Sequence, residues 1–259
     1  SIGFAPTMGA LHAGHISLYE EANKDNDVVI SSIFVNPTQF NNPDDLEKYP
    51  STVENDIEKL KNSKLVDAVY IPKVKDIYPN GLERKHYDFG GIENEMEGAA
   101  RPGHFDGVGT VVEELFRQVR PDNAYFGEKD FQQLKIIEKL VDILNLGIKI
   151  HGVKIHRENN GLAMSSRNMR LSEAEKEASS VIYQTLKKVD DWFRVITIPE
   201  IKIRVEEIFD RDDMVLEYFL IANEDTLKEA DFFSEDENYR AFIVVNVEQV
   251  RLIDNMHLK

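Results

Sequence analysis

Two histidines stand three residues apart near the start of the chain, in Pro6-Thr-Met-Gly-Ala-Leu-His-Ala-Gly-His15. Imidazoles at that spacing can ligate a metal, exchange protons or donate to phosphate. The segment follows an apolar run, Ile2-Gly-Phe-Ala5, and opens a helical pattern with Ile16, Leu18 and Tyr19. It therefore reads as a loop between a strand and a helix. In an open parallel sheet, such loops at the carboxyl ends of strands form the ligand crevice. Backbone N–H groups and the helix dipole favour phosphate there, and Gly9 and Gly14 let it approach the main chain. Local reading favours His12 and His15 as phosphate donors over a structural role. A metal pair is the weakest reading, because no third ligand stands nearby.

Four further segments carry groups capable of chemistry. In Phe34-Val-Asn-Pro-Thr-Gln-Phe40, Asn36 and Gln39 could hydrogen-bond a polar substrate, although alone the segment reads as an ordinary turn. In Tyr125-Phe-Gly-Glu-Lys-Asp130 a strand ends, Gly127 and Glu128 turn, and Lys129 offers a point charge to phosphate. Asp130 either holds a ribose hydroxyl or caps the next helix, and Gln132 and Gln133 follow. Gly161-Leu-Ala-Met-Ser-Ser-Arg-Asn168 is a phosphate clamp or a plain surface turn with a solvated arginine. Arg101-Pro-Gly-His-Phe-Asp-Gly-Val108 is a substrate loop or a tight turn, and local reading does not decide.

The elements that must position these groups alternate. Val28–Val35 and Val66–Ile71 read as strands, Ala124–Phe126 and Ile148–Ile155 as two more. Between them, 53–65, 107–119 and 131–144 carry apolar stripes at helical spacing. Strands separated by helices predict an α/β fold, a parallel sheet covered on both faces. After about residue 156 the pattern changes. Ser172-Glu-Ala-Glu175 is a capping box opening a long helix to about Val195, and Pro199 is placed as a first-turn proline of a second helix ending near Phe209. Strand-like runs follow at 215–222 and 241–247, with Arg251-Leu-Ile-Asp-Asn255 near the end. The expectation is two domains: 1–156, a parallel-sheet domain, and 157–259, a smaller α+β domain.

The chain has 259 residues, no cysteine, and a net charge of -16. Disulfides, thiolate zinc sites and cysteine nucleophiles are excluded, and a reducing cytoplasm fits. The acidity argues against a nucleic-acid partner held by a broad basic surface. No apolar run is long enough for a membrane helix, and no signal peptide is visible, so a cytoplasmic location is expected. The chain opens inside a strand, which reads as a leader missing or removed upstream.

In order, "PTMGALHAGH", "SIFVNPTQF", "EGAARPGHFDGVGTVV", "AYFGEKDFQQL", "GLAMSSRN" and "RLIDN" resemble the pantothenate synthetases, or pantoate–β-alanine ligases, over nearly the whole chain. The "HAGH" and "MSSR" boxes are also similar to signatures of the wider nucleotidylyltransferase and class I tRNA synthetase group. A nucleotidylyltransferase acting on another small substrate is therefore the alternative. The resemblance implies a Rossmann-like domain, a smaller lid domain carrying the Ser-Ser-Arg loop, and a homodimer. It implies that pantoate attacks the α-phosphate of ATP to give pantoyl adenylate and pyrophosphate, and that β-alanine then displaces AMP. It places ATP against Met8, Gly9, Ala10, Leu11, His12, Gly14 and His15, against Gly127, Glu128, Lys129 and Asp130, and against Met164, Ser165, Ser166 and Arg167. Of these, His12, His15, Lys129, Ser165, Ser166 and Arg167 would serve catalysis, His15 as proton donor. Gln39 and Gln133 match pantoate contacts, and Asn36 is a further candidate beside them. Magnesium (Mg2+) is implied on the ATP phosphates rather than in a protein cage. Asn160 stands where the family usually has Asp, and Ser51 where it usually has Arg.

Overall fold

Short apolar runs rich in β-branched residues suit strands buried on both faces. In the computed structural model, which describes residues 1–40 and 46–259, they assemble into one parallel sheet. Strand β1 (Ile2–Thr7) pairs with β2 (Val28–Ile33) on one side and β4 (Asn123–Gly127) on the other. Strands β3 (Ala68–Tyr70) and β5 (Lys149–Val153) form the edges, in the order β3-β2-β1-β4-β5. Helices α1 (Ala13–Asp25), α2 (Val53–Ser63), α3 (His104–Val119) and α4 (Phe131–Leu144) make the connections. The order reverses about β1, so the loops after β1 and β4 diverge and leave a crevice at their carboxyl ends. This unit, Ser1–Lys154, has the expected Rossmann-like architecture.

The apolar stripes explain the packing. Leu18, Tyr19 and Ala22 of α1 and Leu60 of α2 share a buried cluster with Ala5, Val29 and Ile33. Elsewhere in the unit, Phe116 of α3 stands edge-on to Phe4 and Phe126, with ring centroids 6.3 and 6.4 Å apart. Each such side chain contributes about 2–3 kcal/mol by burial. Helix α3 begins at His104, three residues ahead of the expected Gly107, because Gly103 (φ 75°) turns the chain into it.

The second unit, Ile155–Lys259, carries helices and then strands, as an α+β pattern requires. Strands β6 (Val215–Asn223), β7 (Tyr239–Val247) and β8 (Val250–His257) form an antiparallel sheet with β7 at its centre. Its partners are α5 (Glu173–Ala178), α6 (Ser180–Trp192) and α7 (Ile198–Ile208). The single long helix expected after Ser172 is two helices. They part at Ser179, whose fully buried hydroxyl donates to Glu175 O at 2.6 Å and so competes there with the backbone ladder. Both capping boxes, Ser172 with Glu175 and Thr197 with Glu200, are formed. No helix among the described residues is long and apolar enough to cross a membrane.

Candidate functional site

The loop after β1 is shaped by backbone strain and a buried acid. Gly9 (φ 83°) and Ala10 (φ 50°) are both left-handed, a conformation that costs a non-glycine residue about 1–2 kcal/mol. Asp56 of α2, fully buried, holds the loop there. Its carboxylate accepts from Ala10 N and Leu11 N, each at 2.8 Å, and from Thr52 Oγ1 at 3.0 Å. Lys59, one helical turn on, donates to Leu11 O at 2.6 Å. Thr7 Oγ1 completes the turn by accepting from Gly9 N and donating to Ser32 O. Neither Asp56 nor Lys59 is among the residues picked out by sequence. The available signal was position: Asp56 lies on the Val53–Leu60 stripe of α2, where an unpaired acid would not be tolerated.

The two histidines close the first turn of α1 reciprocally. His12 is the N-cap, and its Nδ1 accepts from Gly14 N at 3.1 Å, while His15 Nδ1 accepts from His12 N at 3.2 Å. A ring nitrogen that accepts carries no proton, so each neutral imidazole keeps its hydrogen on Nε2. The rings lie together, centroids 4.1 Å apart. Burial pushes the His15 pKa down to about 3, with His12, Lys59 and Lys129 adding to the effect in that order. His15 is thus a neutral Nε2–H donor at physiological pH, among cationic groups, beside the positive end of a helix.

The turn after β2 places Gln39. Asn36 is 1% exposed and its side-chain amide is engaged by the protein itself. Its Oδ1 takes Thr38 N, Thr38 Oγ1 and Tyr78 OH, and its Nδ2 donates to Gln39 Oε1 (3.2 Å) and Gly107 O (3.1 Å). In this arrangement Asn36 orients Gln39. Gln39 Nε2 reaches Met8 Sδ at 3.1 Å, which ties this turn to the β1 loop.

After β4, Gly127 leads into a 3-10 turn, Glu128–Asp130, and then α4. Gly127 is in extended conformation, and a Cβ there would meet only Lys129 N, at 4.0 Å. The protein's own packing does not demand glycine at that point. Lys129 is 3.9 Å from Asp130, and Asp130 is exposed and makes no side-chain cap to α4. The two glutamines that follow divide. Gln132 is buried and saturated by Ile92 O, Glu95 O and Glu97 N, whereas Gln133 is half-buried and makes no side-chain hydrogen bond among the described residues.

In the second unit, Ser165 caps a 3-10 turn, Ser166–Arg170, its Oγ accepting from Arg167 N at 3.2 Å. Ser166 is buried, and Asn168 Nδ2 ties the turn to Ala163 O. At the base of the loop Arg157 makes a bidentate pair with buried Asp254 (2.6 and 2.9 Å) and lies over the Tyr183 ring. Asn160 donates to Lys176 O and Glu177 Oε2 while accepting from Leu162 N. An aspartate at 160 would keep only the last bond and set its charge against Glu177, so the amide suits this loop. Among the described residues no group of three His, Asp or Glu side chains is placed to hold a metal ion.

Comparison with known proteins identifies the family. The family model for pantoate-beta-alanine ligase matches residues 1–257. A pantothenate synthetase from Flavobacterium psychrophilum is 51% identical over all of this chain and 92% of its own length. One from Christiangramia forsetii is 47% identical, again over all of this chain and 92% of its own length. The crystal structure of pantothenate synthetase from Thermus thermophilus superposes with a TM-score of 0.91 at 37% identity, covering 98% of this chain and 92% of that one. A pantoate-beta-alanine ligase from Francisella tularensis, solved with a β,γ-ATP compound and β-alanine, superposes with a TM-score of 0.81 at 40% identity, covering 99% and 89%. The chain belongs to the pantoate–β-alanine ligase family.

Proposed function

We propose that this pantoate–β-alanine ligase condenses pantoate with β-alanine through a pantoyl adenylate, with His12, His15 and Lys129 as the groups that bear on the α-phosphate. The observation that carries the reading is the histidine pair. Both Nδ1 atoms are committed to backbone N–H groups, so the tautomer of each ring is fixed with its proton on Nε2. In the first step a pantoate carboxylate oxygen bonds to the α-phosphorus and the bond to the pyrophosphate oxygen breaks. Charge grows on the α-phosphate oxygens, and preoriented neutral donors beside Lys59 and Lys129 stabilise it. In the second step the neutral amine of β-alanine bonds to the acyl carbon, AMP leaves with the acyl C–O electrons, and the surplus proton passes to solvent.

The remaining assignments follow the chemistry of each position. Met8 to Leu11 and Gly14 offer main chain to the nucleotide, and the open space at Gly127 admits it near Glu128, Lys129 and Asp130. Gln39, with an oriented amide, and Gln133, with an uncommitted one, take the hydroxyl and carboxylate groups of pantoate. Met164, Ser165, Ser166 and Arg167 form a phosphate-binding loop, its main chain preset by the Ser165 cap. Magnesium would be carried by the ATP phosphates, whose hard oxygens suit it. When bound it would neutralise phosphate charge. We place the chain in the cytoplasm and read it as a homodimer; light scattering on the purified protein tests the dimer.

Substituting His15 tests the central assignment. Gln carries an amide N–H near the place of Nε2, whereas Asn does not reach it. His15→Asn should slow single-turnover adenylate formation about 100-fold, and His15→Gln distinctly less. Equal rates for the two variants would refute donation from Nε2.

A further inference from the structure

The segment Arg101-Pro-Gly-His-Phe-Asp-Gly107 grips the turn that presents Gln39. Arg101 Nη2 donates to the main-chain oxygen of Gln39 at 2.9 Å, and His104 Nδ1 lies 2.9 Å from the same atom. A carbonyl oxygen only accepts, so Nδ1 carries the His104 proton. The ring is 6% exposed, and burial followed by the Arg101 charge pushes its pKa down to about 4, which keeps it neutral. Further along the segment, Gly107 O accepts from Asn36 Nδ2, the same amide that donates to Gln39 Oε1. A Cβ at Gly107 would stand 2.7 Å from Thr38 O, so only glycine lets helix α3 approach the turn this closely.

Both ends of Gln39 are therefore held from one segment: its carbonyl directly and its amide through Asn36. Two donors on one loop carbonyl, one of them cationic, exceed what an ordinary turn needs for satisfaction. We propose that Arg101 and His104 are positioning residues that set the orientation of Gln39 toward pantoate. The inference rests on the assignment of Gln39 as a pantoate contact. Neither side chain needs to touch substrate, and their effect passes through residue 39.

The test is pantoate-dependent pyrophosphate release by the full chain with ATP and Mg2+, for His104→Asn, His104→Phe, Arg101→Met, Gln39→Ala and the double variant Gln39→Ala/His104→Phe. Asn can place an amide N–H near the position of Nδ1, so His104→Asn should keep the pantoate KM within about twofold of the parent. His104→Phe and Arg101→Met should raise the pantoate KM about fivefold or more, each losing a hydrogen bond, with the ATP KM unchanged. The double variant should be no worse than Gln39→Ala. A parental pantoate KM in His104→Phe, or a double variant whose defects multiply, overturns the proposal while the Gln39 assignment stands. A Gln39→Ala variant with a parental pantoate KM overturns both. If His104→Phe does not fold, Arg101→Met, at a side chain 28% exposed, carries the same comparison.

Discussion

Replacing Asp56 should separate nucleotide binding from pantoate binding. Its carboxylate holds Ala10 N and Leu11 N at 2.8 Å in a fully buried setting. Hydrogen bonds to a charged group contribute about 1.5–3 kcal/mol each, so the pair contributes about 3–6 kcal/mol. Asp56→Asn retains one acceptor and turns a donor toward the other N–H, so about half is lost. A loss of about 1.5–3 kcal/mol leaves a domain of ordinary stability folded. Local consequences are larger. Ala10 is left-handed at φ 50° because these bonds hold it there, and without them the Met8–Leu11 main chain relaxes. The ATP Kd should rise about tenfold or more, while pantoate binding to the free enzyme changes less than about twofold. Denaturant unfolding and two calorimetric titrations measure all three quantities. Thr52→Val, which removes only the 3.0 Å hydroxyl bond to Asp56, should cost about 1.5–3 kcal/mol of stability and leave ATP binding nearly intact. A folded Asp56→Asn protein with parental ATP affinity would refute the claim that this carboxylate shapes the loop.

Other outcomes follow from the same geometry. Gln133→Ala should raise the pantoate KM and spare that of ATP; equal loss of both would remove Gln133 from the pantoate site. Asn36→Ala should lower stability by about 2–4 kcal/mol, since it strips partners from Thr38, Tyr78 and Gly107 in a buried place, and unfolding midpoints report this. His104 has its pKa depressed to about 4 in the folded chain against about 6.5 unfolded. Between those values the unfolded chain binds the proton that the folded chain refuses. Its contribution is therefore complete above about pH 6.5 and fades as pH falls toward 4, by up to about 1 kcal/mol per pH unit. The parent should lose stability relative to His104→Asn over that interval, and a gap independent of pH would contradict the burial argument.

Much of the fold is legible because its signals are local and repeated. Val28–Ile33 and Phe131–Leu144 show their period in their own residues, and the strand–loop–helix context of His12 and His15 needs nothing distant. What escaped depends on partners far along the chain. Asp56 lies on the apolar stripe of α2, which marks it as buried, but only the return of the β1 loop over α2 shows what it anchors. Asn36 and Gln39 look alike in sequence. Tyr78 and Gly107, 42 and 71 positions from Asn36, decide that one is saturated and the other presented. Gln132 and Gln133 differ only in facing, which the helix phase of α4 sets. The break at Ser179 came from a single hydroxyl bonding backward, a choice that helix propensity does not reveal.

Residue assignments all depend on the reaction itself. The most direct test is pyrophosphate release from ATP and Mg2+ with pantoate, measured with and without β-alanine while AMP and pantothenate are followed. The account predicts pantoate-dependent pyrophosphate release, a stoichiometric burst without β-alanine, and sustained turnover to pantothenate and AMP only with all three substrates. Pyrophosphate release by a folded, ATP-binding sample that is indifferent to pantoate would contradict it.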